Sequence, residues 1–316
     1  MIEGPSPAGQ PGPLDQWYSS AGVRTGIRRV LLAEQEEGKT FFPARLVPYL
    51  EHDEVRLLPP GRQRELTVRH LYQFLLTTTH LETRMVNRAA EMIALGQSGV
   101  DLPVPVRMDA FKVYCDEGYH ALYSLDLADQ IAAVTGIAIQ PCDYGGLVTD
   151  VADAGRRLMP GEPRLARLLQ VVVFETLITA VLNELPGDPS VVSTIREMMR
   201  DHARDEGRHH RFFAAFLHEL WVRLEPSLRV QAAFAMPALI SGCLGWDVEP
   251  VRASLRLAGL DEDTAGRVVR DCYSGDDGEA ADRKKQICQA TVRMCESAGV
   301  LAVPGAMEEF ASHGLL

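Results

Sequence analysis

Asp116-Glu117-Gly118-Tyr119-His120 returns further along the chain as Asp205-Glu206-Gly207-Arg208-His209. Each copy contains a Glu-x-x-His. At about 100° per residue, positions i and i+3 of a helix share a face, so each copy aims a carboxylate and an imidazole the same way. Both copies lie in long stretches with helical apolar periodicity. The two units therefore predict helices, each carrying a pair of metal-ligand-type side chains on one face.

Outward from these motifs the pattern stays helical. It predicts long helices over residues 64–95, 108–134, 163–185 and 190–224, punctuated by Gly96, Gly136 and Pro186-Gly187 and closed at Pro226. Residues 140–162 carry Pro141, Gly145, Gly146, Pro160 and Gly161 and read as mostly connection. Shorter helices are expected at 228–244, 248–257, 261–273, 279–298 and after Pro304. Period-2 alternation is scarce, so the fold class is all-α: a four-helix bundle with additional N- and C-terminal helices. Residues 1–13, rich in Pro and Gly, read as a flexible tail. Residues 14–60 read as a short helix or two and a loop. Residues 14–316 are expected to form a single helical domain, with the bundle at about 60–225 and the C-terminal helices at about 228–316.

The chain has 316 residues, 46% of them hydrophobic, and a net charge of −11. That charge argues against nucleic acid or an anionic membrane as partner. The longest apolar run, 165–185, is broken by Arg167, Gln170, Glu175 and Asn183, so no membrane span is expected. The six cysteines form no Cys-x-x-Cys, which disfavours thiolate zinc and fits a reducing, cytoplasmic setting.

Two further carboxylates stand on apolar helix faces. Glu175 shares its face with Leu168, Val171, Val172, Ile178, Thr179 and Leu182. Glu82 shares its face with Leu75, Thr78, Thr79, Met85, Val86 and Ala89. A carboxylate buried there needs a positive partner, either a cation or a buried basic side chain. His202 lies one turn before Glu206, and positions 202, 206 and 209 fall within about 60° of one another on a helical wheel. His210 and His218 lie on other faces and read as surface or packing residues. Four bundle helices supplying carboxylates and Glu-x-x-His pairs build the di-metal site of ferritin-like proteins. Carboxylates bridge and neutralise two cations and imidazoles suit iron. Asp116 and Asp205 are placed to accept the outer N–H of the opposite motif's histidine, Asp116 from His209 and Asp205 from His120.

The set Glu82, Glu117, His120, Glu175, His202, Glu206 and His209 resembles that of the non-haem di-iron arylamine N-oxygenases, whose type is the p-aminobenzoate N-oxygenase of aureothin biosynthesis. That family adds a third histidine one turn before the second Glu-x-x-His glutamate, where His202 stands. The resemblance covers residues 60–225 and implies those seven metal ligands, two iron ions and O2 as co-substrate. It implies a homodimer, a separate ferredoxin or reductase as electron donor, and oxidation of an amine through hydroxylamine and nitroso stages to a nitro group in natural-product (antibiotic) biosynthesis. The turns beside Glu82 and Glu175 (Thr78, Thr79, Ile178, Thr179) are candidate substrate-pocket positions and carry no cation. A small heteroaromatic amine such as an aminoimidazole is therefore as good a substrate as an aminobenzoate, unless Arg84 or Arg88 reaches in.

Three other functions share such a cofactor. Iron-storage cages use shorter chains. Radical-generating subunits place a tyrosine one turn after the first ligand histidine, where this chain has Ser124, with Tyr123 turned about 100° away. Carbon hydroxylases share the Asp-Glu-x-Arg-His of residues 205–209. A metal-free bundle would leave several carboxylates on apolar faces uncompensated.

Overall fold

Pro60 and Pro105 each stand in the first turn of a long helix, where a missing N–H costs nothing. The computed structural model describes residues 12–31, 38–273 and 278–316, and leaves out the side chains of 178–181, 278–281 and 283. The expected tail at 1–13 therefore lies outside the described residues up to position 11. The chain order is α1 (Trp17–Ser20), α2 (Gly22–Thr25), α3 (Asp53–Arg56), α4 (Pro60–Leu81), a π-helical segment (Glu82–Val86), α5 (Asn87–Ala94), α6 (Val104–Thr135), α7 (Gly146–Leu158), α8 (Pro163–Leu182), α9 (Ser193–Arg223), α10 (Pro226–Cys243), α11 (Glu249–Leu257), α12 (Glu262–Tyr273), α13 (Gly278–Ala298) and α14 (Ala306–Ser312). The fold is all-α. Among the described residues the only β-type pairing is one isolated bridge, Thr40 to Val191.

α4, the π segment and α5 form one continuous rod that packs on α6, and α8 packs on α9. The two pairs close the bundle through contacts of α6 with α9 and of α5 with α8. The C-terminal helices pack around this core, α10 and α13 on α8, and α11 on α4. α6 ends where Gly136 adopts φ +70° and donates its N–H to the Ala132 carbonyl, a left-handed cap that favours glycine.

The apolar interior falls into two clusters. One holds Met85, Val113 and Phe212; the other holds Leu71, Leu127 and Met199. On α6 the residues Glu117 and His120 lie between Val113 and Leu127. On α9 the residues His202, Glu206 and His209 lie between Met199 and Phe212. The polar site therefore separates two apolar halves.

Two features depart from the sequence reading. The first long helix is not uniformly α: Glu82–Val86 is π-helical, with the Asn87 N–H returning to the Glu82 carbonyl. Such one-residue insertions recur at functional sites, and this one begins on a candidate ligand. Residues 146–158 form α7 rather than connection. The breakers bracket this helix instead of interrupting it, and Val148 and Val151, three apart, bury one face. Gly155 is buried, and a Cβ there would collide with the Gln170 side chain, whose amide donates to the Val151 carbonyl.

Candidate metal centre

Seven side chains from four helical rods point inward, each no more than 2% exposed: Glu82 from the π segment, Glu117 and His120 from α6, Glu175 from α8, and His202, Glu206 and His209 from α9. Six of them form two overlapping quartets, Glu82/His120/His202/Glu206 and Glu117/His120/Glu206/His209. Within each quartet one donor atom per residue lies within 4.8 Å of the others. Glu175 stands outside both quartets but acts electrostatically on the same carboxylates, Glu206 and Glu117.

Glu206 is the hub. Its Oε1 lies 3.2 Å from His120 Nδ1, 3.2 Å from His202 Nε2 and 3.4 Å from His209 Nδ1. Glu117 reaches His120 Nδ1 at 3.2 Å and His209 Nδ1 at 2.7 Å, and Glu82 Oε1 reaches His202 Nε2 at 3.4 Å. Several of these approaches are close without being aligned as hydrogen bonds. Glu82 Oε2, Glu117 Oε1, both Glu206 oxygens, His202 Nε2 and His209 Nδ1 are buried with no hydrogen-bond partner. Buried polar atoms are rarely left so. Their lone pairs converge instead, as cation ligands do, and the mixed carboxylate and imidazole donor set suits a first-row divalent metal. The residues present therefore fit a di-metal group.

Behind the site, each Glu-x-x-His histidine is held by the aspartate of the other motif. His209 Nε2 lies 3.1 Å from Asp116 Oδ2, and His120 Nε2 lies 3.2 Å from Asp205 Oδ2. Both rings thus turn Nε2 outward and Nδ1 inward, and a hydrogen bond from Nε2–H would fix that tautomer.

A second layer, with no counterpart in the sequence reading, supports the aspartates. Trp17 Nε1–H donates to both Asp116 oxygens at 2.9 Å. The Gly22 N–H donates to Asp205 at 3.2 and 3.3 Å, and Arg208 pairs with the same carboxylate. Trp17 and Gly22 sit on α1 and α2, which the sequence marks only as generic short helix. Contacts spanning 99 and 183 positions leave no local sequence signal. Trp17→Phe removes the donor to Asp116 and is expected to weaken metal retention by about 10-fold, measured by chelator competition. Gly22→Ala, whose Cβ would sit 2.6 Å from Asp205 Oδ2, should do the same through His120. Unchanged retention in both variants would show that this layer does not position the histidines.

The electrostatics follow from burial and crowding. Desolvation, then repulsion from Glu206 and Glu117, pushes the Glu175 carboxyl well above its usual range. Burial works against charge on His120 and His209, but Glu117 and Glu206 outweigh it, raising His120 to about 9 and His209 well above its ordinary value. Burial and the neighbouring His120 lower His202.

Tyr123 comes closer than the helical wheel suggests. Its ring centroid lies 5.4 Å from that of His120 and 5.7 Å from that of His202, and its buried hydroxyl has no hydrogen-bond partner. A long side chain spans the angular offset that the wheel assigns it. Of the candidate pocket positions, Thr78 is buried and Thr79 is partly buried, its hydroxyl donating to the Leu75 carbonyl. The side chains of Ile178 and Thr179 lie outside the described residues. Arg84 and Arg88 are exposed, Arg84 beside Thr149 and Arg88 beside Glu91, so neither carries its charge into the site. His210 is half-buried and His218 is exposed. A cleft of about 380 Å³ adjoins the outer side of α8 and α9. It is lined by Thr176, Gly207, His210, Arg211 and Arg293, among others, and Thr176 and Gly207 directly follow Glu175 and Glu206 in sequence.

A protein-family model described as P-aminobenzoate N-oxygenase AurF matches residues 31–299 of the chain. No curated protein matches it. The matched stretch contains all seven inward-pointing side chains and begins after Trp17 and Gly22.

Proposed function

The chain belongs to the p-aminobenzoate N-oxygenase family and is an oxygenase, and from that premise we propose that Glu82, Glu117, His120, Glu175, His202, Glu206 and His209 hold two iron ions that oxidise an aromatic amine at nitrogen. The observation that carries the di-iron reading is the convergence of buried donor atoms that the protein itself leaves unsatisfied. When bound, the metal pair supplies reductive activation of O2.

The chain's own residues do the rest. Burial of all seven donors keeps bulk water out. Asp116 and Asp205 keep the Nδ1 lone pairs of His209 and His120 inward. His202, whose Nε2 faces Glu82 and Glu206, supplies a third imidazole from the same helix as Glu206 and His209. A neutral amine is the species to be oxidised, and Thr78, buried one turn before Glu82, adds no charge beside the site.

The substrate is an arylamine of the aminobenzoate type or a small heteroaromatic amine, taken through to the nitro product in natural-product biosynthesis. Electrons come from a separate ferredoxin or reductase, and the enzyme works as a homodimer in the cytoplasm. The six cysteines, all free thiols, fit a reducing compartment. Among the described residues, no helix is long and apolar enough to cross a membrane.

The test is anaerobic loading with ferrous iron and metal analysis, followed by O2, a chemical reductant and a panel of amines with and without a carboxylate. Two irons per chain and amine products heavier by one or more oxygen atoms are expected. Failure to bind iron, or oxygenation only at carbon, would refute the proposal. One observation favours a second reading, a radical-generating protein: the Tyr123 ring beside His120 and His202. A tyrosyl radical signal on exposure of the ferrous protein to O2, with no amine oxidation, would support it instead.

A further inference from the structure

α6 is apolar on two opposite faces. The inner face carries Val113, Glu117, His120, Leu127 and Ile131, all buried. The outer face presents Val104, Met108, Phe111, Cys115, Gly118, Leu122 and Leu125, all exposed, with Phe111 at 47% and Leu122 at 62%. Soluble monomers rarely leave so long an apolar patch in water.

The spacing of the outer stripe is regular. It runs in steps of four and three from 104 to 125, the 3.5-residue repeat of a coiled-coil seam, and no position along it is charged. At about 1.5 Å per residue it is roughly 32 Å long, three heptads.

The order of side-chain sizes identifies the occupant. Large residues (Met108, Phe111) precede two small ones (Cys115, Gly118), and large residues follow (Leu122, Leu125). Turned end for end, the six residues from Met108 to Leu125 present the same sequence of sizes, and Val104 lies beyond the matched stretch, opposite the exposed position Asp129. A surface that matches its own reverse suits a two-fold interface, in which one patch meets itself. Antiparallel pairing of the repeat sets Met108 against the partner's Leu125, Phe111 against the partner's Leu122, and Cys115 against the partner's Gly118. The small pair falls at the centre, where the two helices must approach most closely.

We infer that the outer face of α6 is the seam of a homodimer, formed by antiparallel packing of α6 on its copy about a two-fold axis between Cys115 and Gly118. This rests on the dimer named in the proposed function and adds its surface and register. The catalytic reading stands apart from it, and Glu117 and His120 lie on the opposite face of the same helix.

Sedimentation of the full chain should give twice 34.8 kDa. Phe111→Glu and Leu122→Glu, on exposed positions, should each give monomer with an unchanged helical circular dichroism spectrum. Gly118→Cys should yield an oxidant-dependent covalent dimer through the partner's Cys115, lost in the Cys115→Ser background. A monomeric wild-type chain would overturn the inference, as would a dimer indifferent to both charge substitutions or one in which the Gly118→Cys variant forms no cross-link. Iron content and amine oxidation, measured on the same variants, report separately on the catalytic reading.

Discussion

Glu175→Gln is expected to leave the metal-free protein folded and to destroy its capacity for two metal ions. Without metal, desolvation and then the charges of Glu206 and Glu117 favour the neutral form of the Glu175 carboxyl. An amide has the size and polarity of that neutral acid, so the melting temperature of the apo protein should shift by no more than about 2 °C. The loaded protein behaves differently, because a cation draws on the ionised carboxylate that the amide cannot supply. Loss of a direct ligand should exceed the roughly 10- to 100-fold seen for outer positioning residues, so occupancy should fall from two ions to one or fewer and amine oxidation should stop. Thermal melts with and without ferrous iron, with metal analysis of the purified variant, read both effects. A Glu175→Gln protein that keeps two irons would remove Glu175 from the ligand set.

The second large effect is a pH dependence that metal abolishes. In the apo protein His120 titrates at about 9 and His209 well above its ordinary value. Burial opposes both charges, and contacts with Glu117 and Glu206 outweigh it. A histidine whose folded pKa lies above its unfolded value of about 6.5 stabilises the fold fully below 6.5, and that contribution is lost as pH rises through 9. For His120 this amounts to roughly 3 kcal/mol, so the apo melting temperature should fall steadily from about pH 6.5 to about 9. Metal binding requires neutral imidazoles and releases these protons, so apparent metal affinity should rise through the same window. The melting temperature of the loaded protein should stay flat there. Parallel slopes for the two forms would mean that the imidazoles are not displaced by metal.

The bundle and the inward placement of the seven side chains, six of which gather in the two quartets, were legible because each rests on local periodicity. Glu117 with His120 and Glu206 with His209 are one helical turn apart, and Glu82 and Glu175 stood out as carboxylates in apolar company. Their role as ligands remains the proposal that the geometry supports. What escaped the sequence was non-local or finer than a turn. The π segment at Glu82 shifts the register by one residue, which the apolar pattern around it tolerates without visible change. α7 was hidden because Gly145 and Gly146 stand at its start, where glycine caps and breakers look alike. Trp17 and Gly22 reach Asp116 and Asp205 only through the closed fold, and nothing near them in the chain announces it.

The layer of acids and imidazoles between the two apolar clusters also sets how the protein comes apart. Loaded with metal, that layer ties the halves together and the molecule should melt as one cooperative body. Emptied, it becomes a charged seam across the middle of the bundle, along which each half can open without the other. On the di-iron reading, metal supply would then set the lifetime of this protein as well as its catalytic competence: emptied, the chain would open to proteases along that layer while still looking folded on average.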